Sequence, residues 1–252
     1  MSHYIVTRPI GYRGNRDCHT ALKYLNNIVK RNSTTYIIKA DISGFFDNIN
    51  HNKLLDILKQ RIQDKYFLMY IKRWLERGIL KDRELIKKYR GTPQGDIISP
   101  VLGNVYLDDA LDNWFETYIK QHYNKAELIR YCDDFICCCN SYKDATAILD
   151  EIVNRLAQYD LKLSDDKTKI INFKVCNHPQ FNFLGFSITH SFNNTIAVKS
   201  SHRKLKHQME TITELIQSSL DNSKNLDNID LVLHLIDKLN EKLRGWYSYY
   251  RV

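Results

Sequence analysis

No stretch of the 252-residue chain approaches the roughly 18–20 consecutive apolar residues that a bilayer-spanning helix needs. The opening segment, MSHYIVTRPIGYRG, lacks the charged, then apolar, then small-residue order of a secretory signal. Nine glycines and four prolines are too few for a collagen-like chain, and no repeat or long low-complexity tract occurs. With 43% hydrophobic and 26% charged residues, the composition also excludes global disorder and a coiled coil. None of the six cysteines is spaced as in a disulfide framework, and three of them are consecutive, Cys137, Cys138 and Cys139. A reducing, cytoplasmic setting without a membrane partner is the expectation. The length suits one large domain or two small ones with a true core.

What the chain does have is positive charge, unevenly placed. The net charge is +8 and the isoelectric point about 9.0, which points to a polyanionic partner. Residues 1–33 carry six Lys/Arg against one acid, and residues 59–90 carry eleven against four. Residues 91–140 reverse the sign, with three against eight. Basic surroundings and an acidic centre suit an enzyme that holds nucleic acid and gathers metal cations at one point. A solvated basic helix at 59–90 is the plain alternative.

Apolar periodicity predicts a helix over 17–31, a strand over 34–42 and helices over 51–60 and 65–77. Asn50 is placed as the N-cap of the third of these elements. Residues 78–90 read as irregular or hairpin-like, and GTPQGDIISP (91–100) as turns leading into a helix over about 101–120. Residues 128–131 and 135–139 form a hairpin around Cys132, Asp133 and Asp134. Ser141 with Asp144 opens a helix to about Tyr159 through a capping box. Residues 161–173 are extended, 181–189 and 195–199 form a second hairpin, and two helices follow His202. Strand, helix, acid-tipped hairpin, helix, strand is a split β-α-β order. It predicts an α+β class: an antiparallel, ferredoxin-like sheet with helices on one face.

Three carboxylates stand out. Asp41 ends a strand, and Asp133 and Asp134 sit at a hairpin tip between apolar runs that would hold them rigidly. Carboxylates converging at a sheet edge can bind hard divalent cations. A pair of such ions can stabilise the attacking and leaving oxygens of phosphoryl transfer. Two other acid doublets read differently: Asp108-Asp109 on a solvated helix face, Asp165-Asp166 in a turn. Taken alone, the Asp133-Asp134 hairpin would be a plain turn. The three consecutive cysteines fall in a strand, where alternate side chains face opposite ways, so they read as core and not as a metal site.

Several ordered blocks change that balance, because together they resemble a reverse transcriptase of the type encoded in bacterial group II introns. IKADISGFFDNINHNKLL (38–55) looks like the first palm motif. RGTPQGDIISPVLGNVYLDDALDNW (90–114) looks like the Thr-Pro-Gln-Gly block, and RYCDDF (130–135) like the catalytic hairpin. LKLSDDKTKIINF (161–173) resembles the lysine-bearing motif, FNFLGFSI (181–188) the primer-grip hairpin, and LNEKLRGWYSYYR (239–251) the start of the thumb. PIGYRGNRDCHTAL (9–22) is similar to the block before the first palm motif. The blocks span most of residues 8–251.

The resemblance implies a polymerase palm with partial fingers over 1–200 and a helical thumb start over 201–252. It implies an RNA-directed DNA polymerase, a nucleotidyltransferase. Asp41, Asp133 and Asp134, with the backbone carbonyl of Ile42, would hold two Mg²⁺ ions, Mn²⁺ being the alternative. Lys167, or instead Lys169, would stand near the leaving pyrophosphate. Phe46 would be the aromatic gate against a ribose 2′-hydroxyl; the plain reading is a core ring beside Phe45. Gln94 and Gly95 would contact the incoming nucleotide or the template. The implied partners are an RNA template, an RNA/DNA hybrid, deoxynucleoside triphosphates and intron RNA. Trp246, Tyr247, Tyr249 and Tyr250 would either stack on bases or fill a core.

Two residues depart from the family pattern: Cys132 where alanine is common, and Asp96 where glycine is usual. The family's N-terminal fingers have no counterpart in the sequence and no maturase remainder follows Val252. A chain truncated at both ends is therefore expected, weak alone or completed by a partner chain that supplies fingers. The rival reading is a non-catalytic, RNA-binding, maturase-like splicing cofactor or remnant. A nucleotide cyclase is a third, for which Phe46 and the Thr-Pro-Gln-Gly block would have no role.

Overall fold

β-Branched and aromatic residues at 36–41 (YIIKAD) form the central strand of a four-stranded sheet. This strand, β1 (Tyr36–Asp41), follows helix α1 (Cys18–Asn32). The fold is given by a computed structural model, which describes residues 11, 17–32, 34–77, 79–81, 84–86, 90–92, 96–174, 180–191, 195–222 and 229–251. After β1 come α2 (Phe45–Asn48), α3 (His51–Lys59) and α4 (Lys65–Glu76), then the two short strands β2 (Ile79–Lys81) and β3 (Glu84–Ile86). Asn50 caps α3 as expected, its side chain accepting from the Asn52 and Lys53 amides, and Asp64 caps α4 in the same way.

A long helical run begins with α5 (Ser99–Leu107), widens into π turns at Asp108–Asp112 and Phe115–Ile119, and closes with α6 (Lys120–His122). The hairpin β4 (Glu127–Tyr131) and β5 (Asp134–Cys139) leads to α7 (Tyr142–Ala157) and β6 (Lys169–Asn172). Ser141 caps α7 by accepting from the Asp144 amide at 3.0 Å, the bond that its spacing predicts. The sheet order is β4-β5-β1-β6, antiparallel at every step. The hairpin strands β4 and β5, with β1 beside them inside the sheet and β6 at the far edge, are the ferredoxin-like arrangement read from the sequence.

One sheet face carries Ile38, Ala40, Phe135, Cys137 and Cys139 into a cluster with α3, α4, the long helical run and α7. The other face is closed as well. Ile37, Ile129, Ile136 and Cys138 are buried there, and α1 lies against β4. Helices on both faces thus replace the single covered face that was expected, and for this reason β5 reads as an unbroken apolar run instead of an alternating one. The cysteine triplet fits the core reading. Cys137 and Cys139 Sγ lie 3.7 Å apart on one face, and all five described cysteines are free.

The chain divides into two compact units. The first comprises residues 1–179 with 190–195, and the second 180–189 with 196–252. In the second unit the expected strand 181–189 is two strands, β7 (Gln180–Phe183) and β8 (Phe186–Ser191), joined at Leu184-Gly185. Both turn residues take positive φ, 51° and 78°, as two-residue hairpins require. Strand β9 (Thr195–Ser200) completes this three-stranded sheet, so residue 200 falls at its last strand. Helices α8 (His202–Asn222) and α9 (Ile229–Tyr250) follow. Tyr249 stacks on Phe186, Tyr250 packs against the same ring, and Tyr249 Oη donates to the Leu184 carbonyl at 3.0 Å. Tyr247 stays exposed. Among the described residues no helix is long and apolar enough to cross a membrane.

Candidate active site

Strand register brings the predicted acids together. Asp41, the last residue of β1, is paired with Asp134, the first of β5, and Tyr131 of β4 pairs with Asp134 from the other side. Residues directly opposite in an antiparallel pair share a face and stand about 4.5–5.5 Å apart at Cα. Asp133 lies in the two-residue turn beside them. Cys132, its partner in the turn, takes φ +59°, the left-handed region that only glycine, asparagine and aspartate adopt readily.

Asp41 is fixed by its backbone. Its carbonyl accepts from the Ser164 amide at 2.8 Å, and the Ser43 amide donates to the Lys162 carbonyl at 2.8 Å. The two bonds flank the Ile42–Leu163 bridge and leave the Ile42 carbonyl out of it. The same segment then turns tightly, with the Lys167 and Thr168 amides donating to the Ser164 carbonyl. That turn hangs Lys167 over the acids. Its Nζ donates to Asp41 Oδ2 at 2.8 Å. Lys169, the other candidate, opens β6 across from Lys39.

The electrostatics describe one crowded point. The hydrogen bond that Lys167 donates to Asp41, then the charge of Asp41, raise the Lys167 pKa, and the charges of Asp133 and Asp134 add to this. Burial raises the Asp133 pKa from its ordinary value. The charge of Asp41 also pushes it up, against the lowering effect of Asp133's own amide, Lys167 and Arg130. One ammonium therefore feels all three carboxylates. Among the described residues no three acid, histidine or cysteine side chains close into a ready cation cage, and Lys167 supplies the positive charge against Asp41. Oxygen-only ligands whose like charge Lys167 only partly balances fit a hard divalent ion.

The other predicted positions are placed as follows. Phe46, in α2, is half-buried against Phe45, with ring centroids 5.0 Å apart. Its carbonyl accepts from the Thr92 amide at 2.7 Å, and the Gly91 amide donates to the Ile49 carbonyl at 2.8 Å. Gly91 has φ +82°, and a Cβ there would stand 2.8 Å from the Phe46 and Asp47 carbonyl oxygens. The Gly-Thr pair is thus pinned to the backbone of Phe46 and Ile49. Gln94 and Gly95, close along the chain, lie outside the described residues, as does half of the 9–22 block. The unusual Asp96 forms an ion pair with Arg77.

The sequence did not single out Arg130, Asp112 or Asn104. Arg130 interrupts the apolar run of β4, and a lone cation inside such a run is the signal that would have found it. Asp112 accepts from Arg130 through both oxygens, and the side chains are 4% and 1% exposed. Asp108 and Asp109 are not on a freely solvated face either. Asp109 Oδ2 accepts from Tyr159 Oη at 2.6 Å, because the π turns rotate that stretch toward α7. Asp165-Asp166 lie in an exposed turn, as read.

A four-stranded, palm-like sheet thus sets Asp41 at the end of β1 opposite Asp134 at the β4–β5 tip, with the Lys167 ammonium on Asp41. The chain belongs to the reverse transcriptase (RNA-dependent DNA polymerase) family, whose family model matches residues 5–188. It is 30% identical over 240 residues to the uncharacterized 91 kDa protein in cob intron of Schizosaccharomyces pombe, covering 74% of this chain and 29% of that protein. Over 99 residues it is 38% identical to the group II intron-encoded protein LtrA of Lactococcus lactis subsp. cremoris, covering 39% of this chain and 16% of that protein. Both relatives are intron-borne by name, and the second is a group II intron-encoded protein. The chain spans less than a third of the length of either one. In fold it is similar to apo telomerase from Candida tropicalis, with a TM-score of 0.57, 18% identity, and coverage of 92% of this chain and 46% of that one.

Proposed function

We propose that this chain carries the catalytic core of an RNA-directed DNA polymerase. The single observation behind this reading is the pairing of Asp41 with Asp134 at the sheet end, with Asp133 in the adjoining turn and the Lys167 ammonium on Asp41. Asp41, Asp133, Asp134 and the Ile42 carbonyl are the groups that would hold two Mg²⁺ ions. When bound, such ions increase the acidity of a primer 3′-hydroxyl and neutralise triphosphate charge. The 3′-oxygen bonds to the α-phosphorus of a deoxynucleoside triphosphate, the α–β phosphoanhydride bond breaks, and pyrophosphate leaves. In this reading Lys167 gives up Asp41 as the site fills and turns its charge or proton to the pyrophosphate.

The rest of the molecule supports a polyanionic partner. Lys59, Arg61, Lys65, Lys72, Arg73 and Arg77 are exposed along the end of α3 and α4, beside exposed Tyr66, Phe67 and Tyr70. Cations with interleaved rings suit an RNA template or RNA/DNA hybrid, bound more weakly as salt rises.

The test is extension of a DNA primer on an RNA template with the four deoxynucleotides and Mg²⁺. Templated products support the reading. RNA binding with no extension under any divalent ion would favour the maturase-like alternative. Phe46 allows a finer check, because its ring is only half-buried and its backbone is tied to Thr92. Phe46→Ala is expected to raise ribonucleotide over deoxynucleotide incorporation by about one to two orders of magnitude, the scale of a lost steric discrimination. An unchanged ratio would return Phe46 to the core.

A further inference from the structure

The turn that carries Asp133 is held by a side chain outside the acid cluster. Arg130 points from β4 to the face opposite Tyr131. Its Nε donates to Asp112 Oδ1 at 2.8 Å, and Nη2 donates to Asp112 Oδ2. The remaining nitrogen, Nη1, donates to the Cys132 carbonyl at 2.7 Å and to Asn104 Oδ1 at 3.1 Å. Asn104 Nδ2 donates in turn to the Gly11 carbonyl at 2.7 Å. Gly11 is buried against the turn, where a Cβ would stand 2.6 Å from Cys132 Sγ. Cys132 itself holds the left-handed φ of +59°. A cysteine has no intrinsic preference for that conformation, so something must hold it there.

We propose that Arg130 is a positioning residue: anchored by Asp112, it grips the Cys132 carbonyl and so fixes the turn that presents Asp133 and Asp134 to Asp41. The proposal rests on the polymerase reading of those acids. Both prongs of one rigid guanidinium face Asp112 while the third nitrogen faces the turn. An ammonium is a single point of charge and cannot reproduce that fork. Lysine at 130 therefore keeps a cation opposite Asp112 but loses the grip on Cys132.

Two readouts on the full chain test this: binding of Mn²⁺ alone, titrated by the paramagnetic resonance of the free ion, and primer extension. Arg130→Lys is expected to weaken Mn²⁺ binding by about tenfold, as loss of groups that orient metal ligands does. The maximal rate should fall while KM for deoxynucleotide and RNA affinity hold. Adding Cys132→Gly, which takes the left-handed φ without strain, should recover part of the Mn²⁺ affinity. A folded Arg130→Lys chain with wild-type Mn²⁺ affinity and rate overturns the proposal, and so does a Cys132→Gly addition that restores nothing. Should Arg130→Lys melt, Arg130→Met combined with Asp112→Leu decides, since it removes the guanidinium from the Cys132 carbonyl and leaves no buried charge unpaired. Weakened Mn²⁺ binding there supports the proposal, and unchanged binding overturns it. A wild-type chain that binds Mn²⁺ but extends no primer would sink the polymerase reading alone, with the Mn²⁺ comparison still deciding the role of Arg130.

Discussion

Asp133→Asn is expected to lower primer extension by about a thousandfold, the upper range for removing one preorganised group that stabilises transition-state charge. The substitution keeps the shape of the side chain and removes its charge. Asp133 sits in the turn, where burial and the field of Asp41 already act against ionisation. A carboxylate kept ionised in such a place must be balanced by cations, here Lys167 and Arg130, and in the proposed reaction by divalent ions. Asparagine removes the repulsion and the ligand together. RNA affinity should hold within about threefold, because phosphate contacts come from lysines and arginines elsewhere. Filter binding and single-turnover extension separate the two effects. Equal extension by variant and wild type would place the chemistry elsewhere.

Asp112→Ala carries the largest expected effect on stability. It leaves the Arg130 guanidinium buried without its two-pronged acceptor, and breaking a buried pair from one side costs about 3–5 kcal/mol. That is a large fraction of the roughly 5–15 kcal/mol that holds a typical domain folded. Urea melts of the full chain should show it as a drop in midpoint with little change in slope. Replacing both partners, Asp112→Leu with Arg130→Met, should recover much of the stability, since apolar substitutes for a buried pair are often neutral. The doubly substituted chain should still polymerise poorly, because the Cys132 carbonyl then has no guanidinium. Recovery of both stability and rate would reduce the pair to packing.

These two expectations mark what was legible in the sequence and what was not. Asp41 and the Asp133-Asp134 doublet could be read because apolar strands frame them, and the strand order around them gave the ferredoxin-like sheet. The choice between Lys167 and Lys169 could not be made, since it depends on where the Ser164–Thr168 turn ends. The Asp112–Arg130 pair was hidden for a different reason. It joins residues 18 apart through a helix widened by π turns, and that widening breaks the regular spacing from which buried faces are read. The same widening misplaced Asp108 and Asp109. The covering of the second sheet face by α1 is a tertiary fact to which the amphipathic pattern of α1 gave no direction. The apolar pattern ran one strand through the Leu184-Gly185 turn, because the flanking strands are only four and six residues long and similarly apolar; the resemblance of 181–188 to a primer-grip hairpin alone pointed to it.

The measurement that bears most directly on the account is anomalous diffraction from crystals of this chain grown with saturating Mn²⁺. Density for the ion in contact with the carboxylates of Asp41 and of Asp133 or Asp134, with the Lys167 ammonium moved off Asp41, is the predicted result. Ordered Mn²⁺ bound elsewhere, with the Lys167–Asp41 contact intact and the three carboxylates empty, would contradict it.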